Sequence, residues 1–216
     1  MSTYKTLSNF PENRLNSFNS LAFWDNAFTD NELIAIENYC SSLQLENGKH
    51  VTTTADSIVS AGPEFGFRKS KVAFFEKNLE NAWIFDRMNE YVEKINNEYF
   101  NYDLNGYSYI QYSEYDESYN GKYDYHMDAH FGENLSNTMH GQIRKLSFGL
   151  LLNDPDKDFT GGEFLVNLGD EKKPNEVIFK KGRIIAFPSF IIHKVCPVTK
   201  GKRKSLVIWT LGPKFK

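Results

Sequence analysis

His126, Asp128 and His130 occupy alternate positions of the stretch YDYHMDAH, residues 123–130. In a strand, successive side chains point to opposite faces, so this spacing puts two imidazoles and a carboxylate on one side. Such groups are ligands for a divalent metal. Two histidines and one carboxylate on one face of an octahedron are the donor set of a non-haem Fe(II) oxygenase site, whose opposite face stays open for substrate and O2. His126 and Asp128 supply two donors at i and i+2. His130 lies about 13 Å from His126 along an extended strand, too far to share the ion. The third donor is therefore expected from a strand lying opposite in a barrel, and His193 in IIHKVCPV is the natural choice. A polar strand edge explains an isolated His-X-Asp more often than a metal does; the distal histidine and a basic residue beyond it favour the metal. His130 is left to line a substrate mouth or to be exposed, His140 in FGENLSNTMHG to be solvated, and His50 to sit at the surface.

Arg203 follows His193 by ten residues. Alternation along GKRKSLVIW places Arg203, Ser205, Val207 and Trp209 on one face, with Lys202 and Lys204 on the other. A guanidinium and a hydroxyl inside an otherwise apolar barrel require an anion. A dicarboxylate that meets Arg203 at its far end and chelates the metal at its near end satisfies them, and 2-oxoglutarate has that shape. The competing reading of Arg203 is a surface cation among Lys200, Lys202 and Lys204.

The elements that must position these groups follow from periodicity. In FTDNELIAIENYCSSL, Thr29 or Asp30 caps a helix whose apolar face is Leu33, Ile34, Ile36 and Tyr39. A second helix is expected over Leu79 to Phe100, with Phe85, Met88, Val92, Ile95 and Tyr99 at helical spacing. The segment between them, VTTTADSIVSAGPEFGFRKSKVAFF, reads as strand, loop, strand. From Gly106 onward eight short strands separated by breakers such as Gly161-Gly162 and Lys181-Gly182 indicate a jelly roll. The polar, aromatic stretches 60–71 and 113–122 are long enough to serve as substrate lids.

A chain of 216 residues with a formal net charge of −3 is read as one domain, with 1–105 as support and 106–213 as catalytic core. That charge argues against a general nucleic-acid binder. Cys40 and Cys196 stand far apart, without the spacing of a disulfide framework or a cysteine zinc site, and fit a reducing cytoplasm. The polar start, without an apolar signal core, and the lack of a run long enough to span a bilayer argue against membrane anchoring. Oligomeric state is not legible.

The order His-Met-Asp…His…Arg resembles the His-X-Asp…His…Arg pattern of 2-oxoglutarate- and Fe(II)-dependent dioxygenases. The segment HKVCPVTKGKRKSLVIWTLGP resembles the C-terminal signature of their prolyl 4-hydroxylase-like branch, which includes bacterial PKHD-type hydroxylases. The resemblance covers residues 106–213 and includes GGEF, 161–164, in the family's order. It implies a mainly β fold with flanking α, a cupin-like double-stranded β-helix braced by N-terminal helices. By that likeness His126, Asp128 and His193 bind Fe(II), and Arg203 pairs with the distal carboxylate of 2-oxoglutarate. Tyr112 hydrogen-bonds the cosubstrate, and Ser205 and Trp209 line the same pocket. The implied reaction consumes O2, converts 2-oxoglutarate to succinate, uses ascorbate as a supporting reductant, and hydroxylates an unactivated C–H bond.

A prolyl residue of a peptide or protein is the expected substrate, with free amino acids and other small molecules left open. Halogenation is disfavoured because Asp128 is present. A nucleic-acid demethylase is disfavoured because such relatives carry a second arginine six residues after the first, where this chain has Trp209. A non-catalytic barrel plugged by a structural metal is the rival from another class. A complete triad with an open face speaks against it, since structural sites are closed.

Overall fold

The structure, a computed structural model, describes residues 20–54, 57–61, 66–129, 141–170 and 172–214, with side chains of 50–61 excluded. Helix α1, Asp30–Ser41, starts where Thr29 forms a capping box. The Thr29 hydroxyl accepts from the Glu32 amide, and the Glu32 carboxylate accepts from the Thr29 amide at 2.8 Å. Its buried stripe is Leu33, Ile36 and Cys40; Ile34, expected on that face, is 53% exposed. Helix α2, Ala82–Ile95, buries Ile84, Phe85, Met88, Tyr91, Val92 and Ile95, then passes into a π-helical turn at Asn96–Phe100. Arg87 ties the two helical segments together, donating to Glu32 at 2.9 Å and to the Ala27 carbonyl at 2.7 Å.

The N-terminal half also supplies strands: β1 Ala22–Trp24, β2 Glu46–Asn47, β3 His50–Thr54, β4 Ser57–Ala61, β5 Arg68–Lys69 and β6 Lys71–Glu76. The C-terminal half adds β7 Tyr109–Asp116, β8 Lys122–His126, β9 Gln142–Leu151, β10 Phe159–Gly161 and β11 Phe164–Asn167. It ends with β12 Asn175–Val177, β13 Ile184–Pro188, β14 Ile192–Val195 and β15 Val198–Pro213. Two antiparallel sheets result, the double-stranded β-helix expected from the sequence. The larger runs β1-β13-β9-β15-β7-β6-β2, with β10 paired to β15; the smaller runs β12-β11-β14-β8-β5. The β3–β4 hairpin stands apart from both. Strands β1, β2 and β6 thus extend one sheet and β5 the other.

The outer face of the large sheet and both helices share one apolar cluster, including Ile110, Tyr112, Leu146, Phe148, Leu150, Leu206 and Ile208. Between the sheets lies a second cluster, including Tyr115, Leu151, Phe164, Ile185, Phe187, Val195 and Val198. Residues 113–122, expected as a lid, form the end of β7, a short 3-10 turn at Glu117–Tyr119 and the start of β8. Of the other expected lid, residues 62–65 lie outside the described residues, while 68–69 and 71 enter β5 and β6. No helix among the described residues is long and apolar enough to cross a membrane.

Candidate active site

Strand β8 brings His126 beside His193 of β14, the two being directly opposed partners. The donors therefore come from neighbouring strands of the small sheet, and not from opposite sides of the barrel as expected. The register between these strands shifts, so that Tyr123 to His126 on β8 spans the same length as His193 to Val195 on β14. An extra residue of this kind is a β-bulge, and it re-aims side chains. Tyr123 and His126, three positions apart, consequently stack face to face with centroids 3.5 Å apart.

The chain leaves the strand after His126. The amides of Asp128 and Ala129 both donate to the Ser189 carbonyl, at 2.9 and 2.8 Å. That clasp turns the Asp128 carboxylate toward both imidazoles, so Asp128 joins His126 through a turn and not through strand alternation. Ser147 on β9 donates to Asp128 Oδ2 at 2.7 Å and also meets the Ser189 hydroxyl at 2.9 Å. His130 and His140 lie outside the described residues, as does the side chain of His50.

The protonation pattern suits a cation. His126 Nδ1 lies 2.8 Å from the Asp124 carbonyl and His193 Nδ1 lies 2.9 Å from that of Ile191. A carbonyl only accepts, so each Nδ1 carries a proton and each Nε2 is turned toward the carboxylate. Those Nε2 atoms face Asp128 Oδ1 at 3.7 Å and Oδ2 at 3.5 Å. One ligand atom from each of the three residues lies within 4.8 Å of the others, and all three side chains are buried. Burial and the neighbouring His193 push the His126 imidazole well below its ordinary pKa. Burial alone raises that of Asp128, but His193, His126, Arg144 and the Ser147 hydroxyl outweigh it and hold the carboxyl at about 2. Two imidazoles and an ionised carboxylate gathered at one buried spot are the donor set of a divalent metal. The donor set therefore fits Fe(II).

The triad opens into a cavity of about 280 Å³ between the sheets. At one end Arg203, only 3% exposed, donates to Ser205 Oγ at 3.1 Å and lies over the Tyr115 and Phe179 rings. Burial lowers its pKa to about 10, so it stays charged at neutral pH. Among the described residues no carboxylate pairs with it. A buried, unpaired guanidinium is costly until an anion arrives. The strand pair β10–β11 approaches closely here: a Cβ on Gly162, whose φ is +67°, would stand 3.0 Å from Arg203 Cδ. At the other end of the same strand face, Trp209 lines the cavity with its indole N–H buried and without an acceptor.

Arg203, Ser205 and Trp209 thus line one cavity with the triad, whereas Tyr112 does not. Its side chain belongs to the outer cluster with the helices, and its hydroxyl donates to Glu114 at 2.7 Å. Strand parity is the reason. Tyr109, Gln111, Ser113 and Tyr115 share the inner face of β7, and Tyr115 is the direct partner of Arg203. In YIQYSEYD both faces carry tyrosine and polar groups, so the sequence offered no clean apolar alternation to set the parity. Four further residues at the site escaped the sequence reading: Tyr123, Ser147, Arg68 and Arg144. Arg68 lies 4.4 Å over the Tyr123 ring, and Arg144 lies 4.1 Å over that of Trp209. Their only signal in the sequence was a basic residue on an otherwise half-apolar strand.

Residues 110–211 match the family model of the 2OG-Fe(II) oxygenase superfamily. The two facing sheets and the His-Asp-His cluster of this segment are in keeping with that match. Among its relatives are PKHD-type hydroxylases, and among its structural neighbours prolyl hydroxylases. A PKHD-type hydroxylase of Acaryochloris marina is 40% identical over 80 residues, 37% of this chain and 35% of that one. The chain thus spans about a third of the length of that curated relative. A Pseudomonas putida prolyl-4-hydroxylase structure superposes with a TM-score of 0.66 at 16% identity, covering 91% of this chain and 94% of the other. A Trichoplax adhaerens prolyl hydroxylase, solved in complex with a peptide fragment of the hypoxia inducible factor oxygen degradation domain, superposes at 0.65. It is 19% identical and covers 93% and 86% of the two chains. At these identities the structural likeness is one of fold.

Proposed function

We propose that the protein is a 2-oxoglutarate- and Fe(II)-dependent dioxygenase that hydroxylates an unactivated C–H bond, with a prolyl residue of a peptide or protein as substrate. The observation that carries this reading is the pairing of a buried His-Asp-His triad with a buried arginine, unpaired among the described residues, in one cavity. Fe(II) with 2-oxoglutarate and O2 supplies the oxidising chemistry. The chain's own residues bind, orient and desolvate.

His126, Asp128 and His193 hold the metal through Nε2, a carboxylate oxygen and Nε2. Ser147 and the Ser189 clasp fix the carboxylate, and the Asp124 and Ile191 carbonyls fix the tautomers. Arg203 takes the distal carboxylate of the cosubstrate in a charge-assisted pair, with Ser205 orienting its guanidinium and Tyr115, in place of Tyr112, as the neighbouring hydroxyl. Phe164, Phe179, Ile185 and Phe187 give the cavity a dry wall, which strengthens each of those electrostatic contacts. Toward the mouth, Tyr109, Trp209 and the 55%-exposed Phe74 offer flat faces against which a pyrrolidine ring packs. The prolyl assignment draws on the names of the relatives and on the peptide complex of the Trichoplax adhaerens protein. A cytoplasmic location belongs to the same reading: Cys40 and Cys196 are both free thiols, and Fe(II) requires a reducing compartment.

The test is anaerobic titration with Fe(II) and 2-oxoglutarate, followed by aerobic turnover on a panel of proline-containing peptides and amino acids. A weak visible charge-transfer band, absent in His126→Ala, is expected, together with succinate release and a product heavier by one oxygen atom. No band, and no succinate with any of the substrates, overturns the reading.

A further inference from the structure

We propose that the substrate itself carries a carboxylate, received by Arg68 and Arg144 in the cavity beside the metal centre. The inference rests on the oxygenase reading above and narrows its substrate class.

Arg68, on β5, is 7% exposed and lines the cavity. Its hydrogen bonds all go to neutral acceptors: Ser70 Oγ at 2.9 Å, the Lys49 carbonyl at 3.0 Å and Gln111 Oε1 at 3.5 Å. Arg144, on β9, donates to the Asp128 carbonyl at 3.3 Å and the Tyr109 hydroxyl at 3.4 Å. Neither guanidinium has an ion pair among the described residues. Other partly buried arginines of this protein do: Arg183 grips Asp25 with two bonds, and Arg87 holds Glu32. Among the described residues the lack of an acid at Arg68 and Arg144 is therefore a property of the cavity and not of arginine in general.

Position separates these two residues from Arg203. Arg203 and Trp209 lie about 20 Å apart along β15. Arg144 stacks on Trp209, and Arg68 reaches Gln111, which pairs with Val207, two residues from Trp209 and four from Arg203. Trp209 is the register partner of Ser147, whose hydroxyl holds Asp128, so the metal ligands stand near the level of Trp209. Arg144 thus stands at the level of the metal centre and Arg68 about two residues nearer Arg203, both well away from the Arg203 end of the cavity.

The charge balance agrees. Arg68, Arg144, Arg203 and Lys49 line the cavity against two carboxylates, Asp128 and Glu46, leaving a formal +2. Fe(II) and dianionic 2-oxoglutarate cancel each other and leave that excess in place. Glu46 is exposed at the rim and pairs with neither arginine among the described residues. A carboxylate matches the planar guanidinium fork with two parallel hydrogen bonds.

Acid and amide probes test this on the full chain loaded anaerobically with Fe(II) and 2-oxoglutarate, reading the perturbation of the charge-transfer band as each probe binds. The pairs are L-proline against L-prolinamide, a C-terminally amidated Pro-Glu hexapeptide against its Pro-Gln counterpart, and the Pro-Gln hexapeptide with a free against an amidated C-terminus. At least one acid is expected to bind about tenfold tighter than its amide, and the pair that shows it identifies the acid as that of a free amino acid, a side chain or a peptide terminus. Arg68→Gln or Arg144→Gln is expected to bring that ratio within about twofold. Every pair within twofold in the unaltered protein overturns the proposal without relying on any variant, as does a preference that survives both substitutions. Failure to form the band before any probe is added overturns the oxygenase reading, and this inference with it.

Discussion

Asp128 is held by four separate contacts, its own backbone amide to Ser189 and a hydroxyl and two imidazoles around its carboxylate, while Arg203 is held by one hydroxyl and two rings. That contrast assigns different consequences to their loss. Asp128→Ala or His126→Ala removes a donor, and the expected result is loss of Fe(II) binding, read by metal analysis after gel filtration. Arg203→Ala leaves the donors in place; the KM for 2-oxoglutarate rises by about tenfold or more while iron content is unchanged. Iron lost together with Arg203 would sink the assignment of roles. The tyrosines divide in the same way. Tyr115→Phe is expected to raise the KM for 2-oxoglutarate. Tyr112→Phe, which strands the Glu114 acceptor behind the sheet, lowers stability by about 1 kcal/mol and leaves that KM alone. Parallel denaturation curves and cosubstrate titrations of the two variants separate the effects.

At the level of elements, the site depends on irregularities more than on regular strands. The bulge between β8 and β14 lets Tyr123 pack on His126, and the turn after His126 carries Asp128. The glycines before β11 let the β10 edge run close to β15. Gly162 has a positive φ, and an added Cβ there would press on both Arg203 and Val198 at 3.0 Å. Gly162→Ala is therefore expected to destabilise the fold by about 1–2 kcal/mol and to raise the KM for 2-oxoglutarate by displacing the guanidinium. An unchanged KM would show that the close approach is merely structural. The capping box of α1 is remote from the cavity. Thr29→Ala is expected to lower stability by about 1 kcal/mol, measured by urea unfolding, with turnover at the wild-type level.

For the whole molecule, acidic groups pinned by partners set the response to pH. The Asp25 carboxyl is held below 3.8 by hydrogen bonds and charge from Arg183, which joins the approach to α1 to β13. The Asp116 carboxyl is held below 3.8 by the Ser118 amide and hydroxyl, helped by Lys202. A carboxyl depressed in the folded state contributes stability above its unfolded pKa and loses it as pH falls through the folded one. The melting temperature is therefore expected to hold steady above about pH 5 and to fall below about pH 4. Arg183→Gln should flatten its share of that fall, and an acid limb unchanged by the substitution would count against the linkage.

The chain by itself pointed to the candidate donors that the structure brings together, an imidazole, a carboxylate and a second imidazole followed by a basic residue. It also determined the jelly roll, since short β-rich runs between Gly and Pro breakers leave little alternative. The cap at Thr29 and the shared face of Arg203, Ser205 and Trp209 were legible for the same reason: both are set by spacing within one element. Only the tertiary structure decided that His193 lies beside His126 in one sheet, that Tyr115 and not Tyr112 faces inward, and that Arg68 and Arg144 converge on the cavity from β5 and β9. Strand pairing, bulges and turns join residues far apart in sequence, and a single inserted residue reverses which side of a strand faces in; no local pattern records that choice.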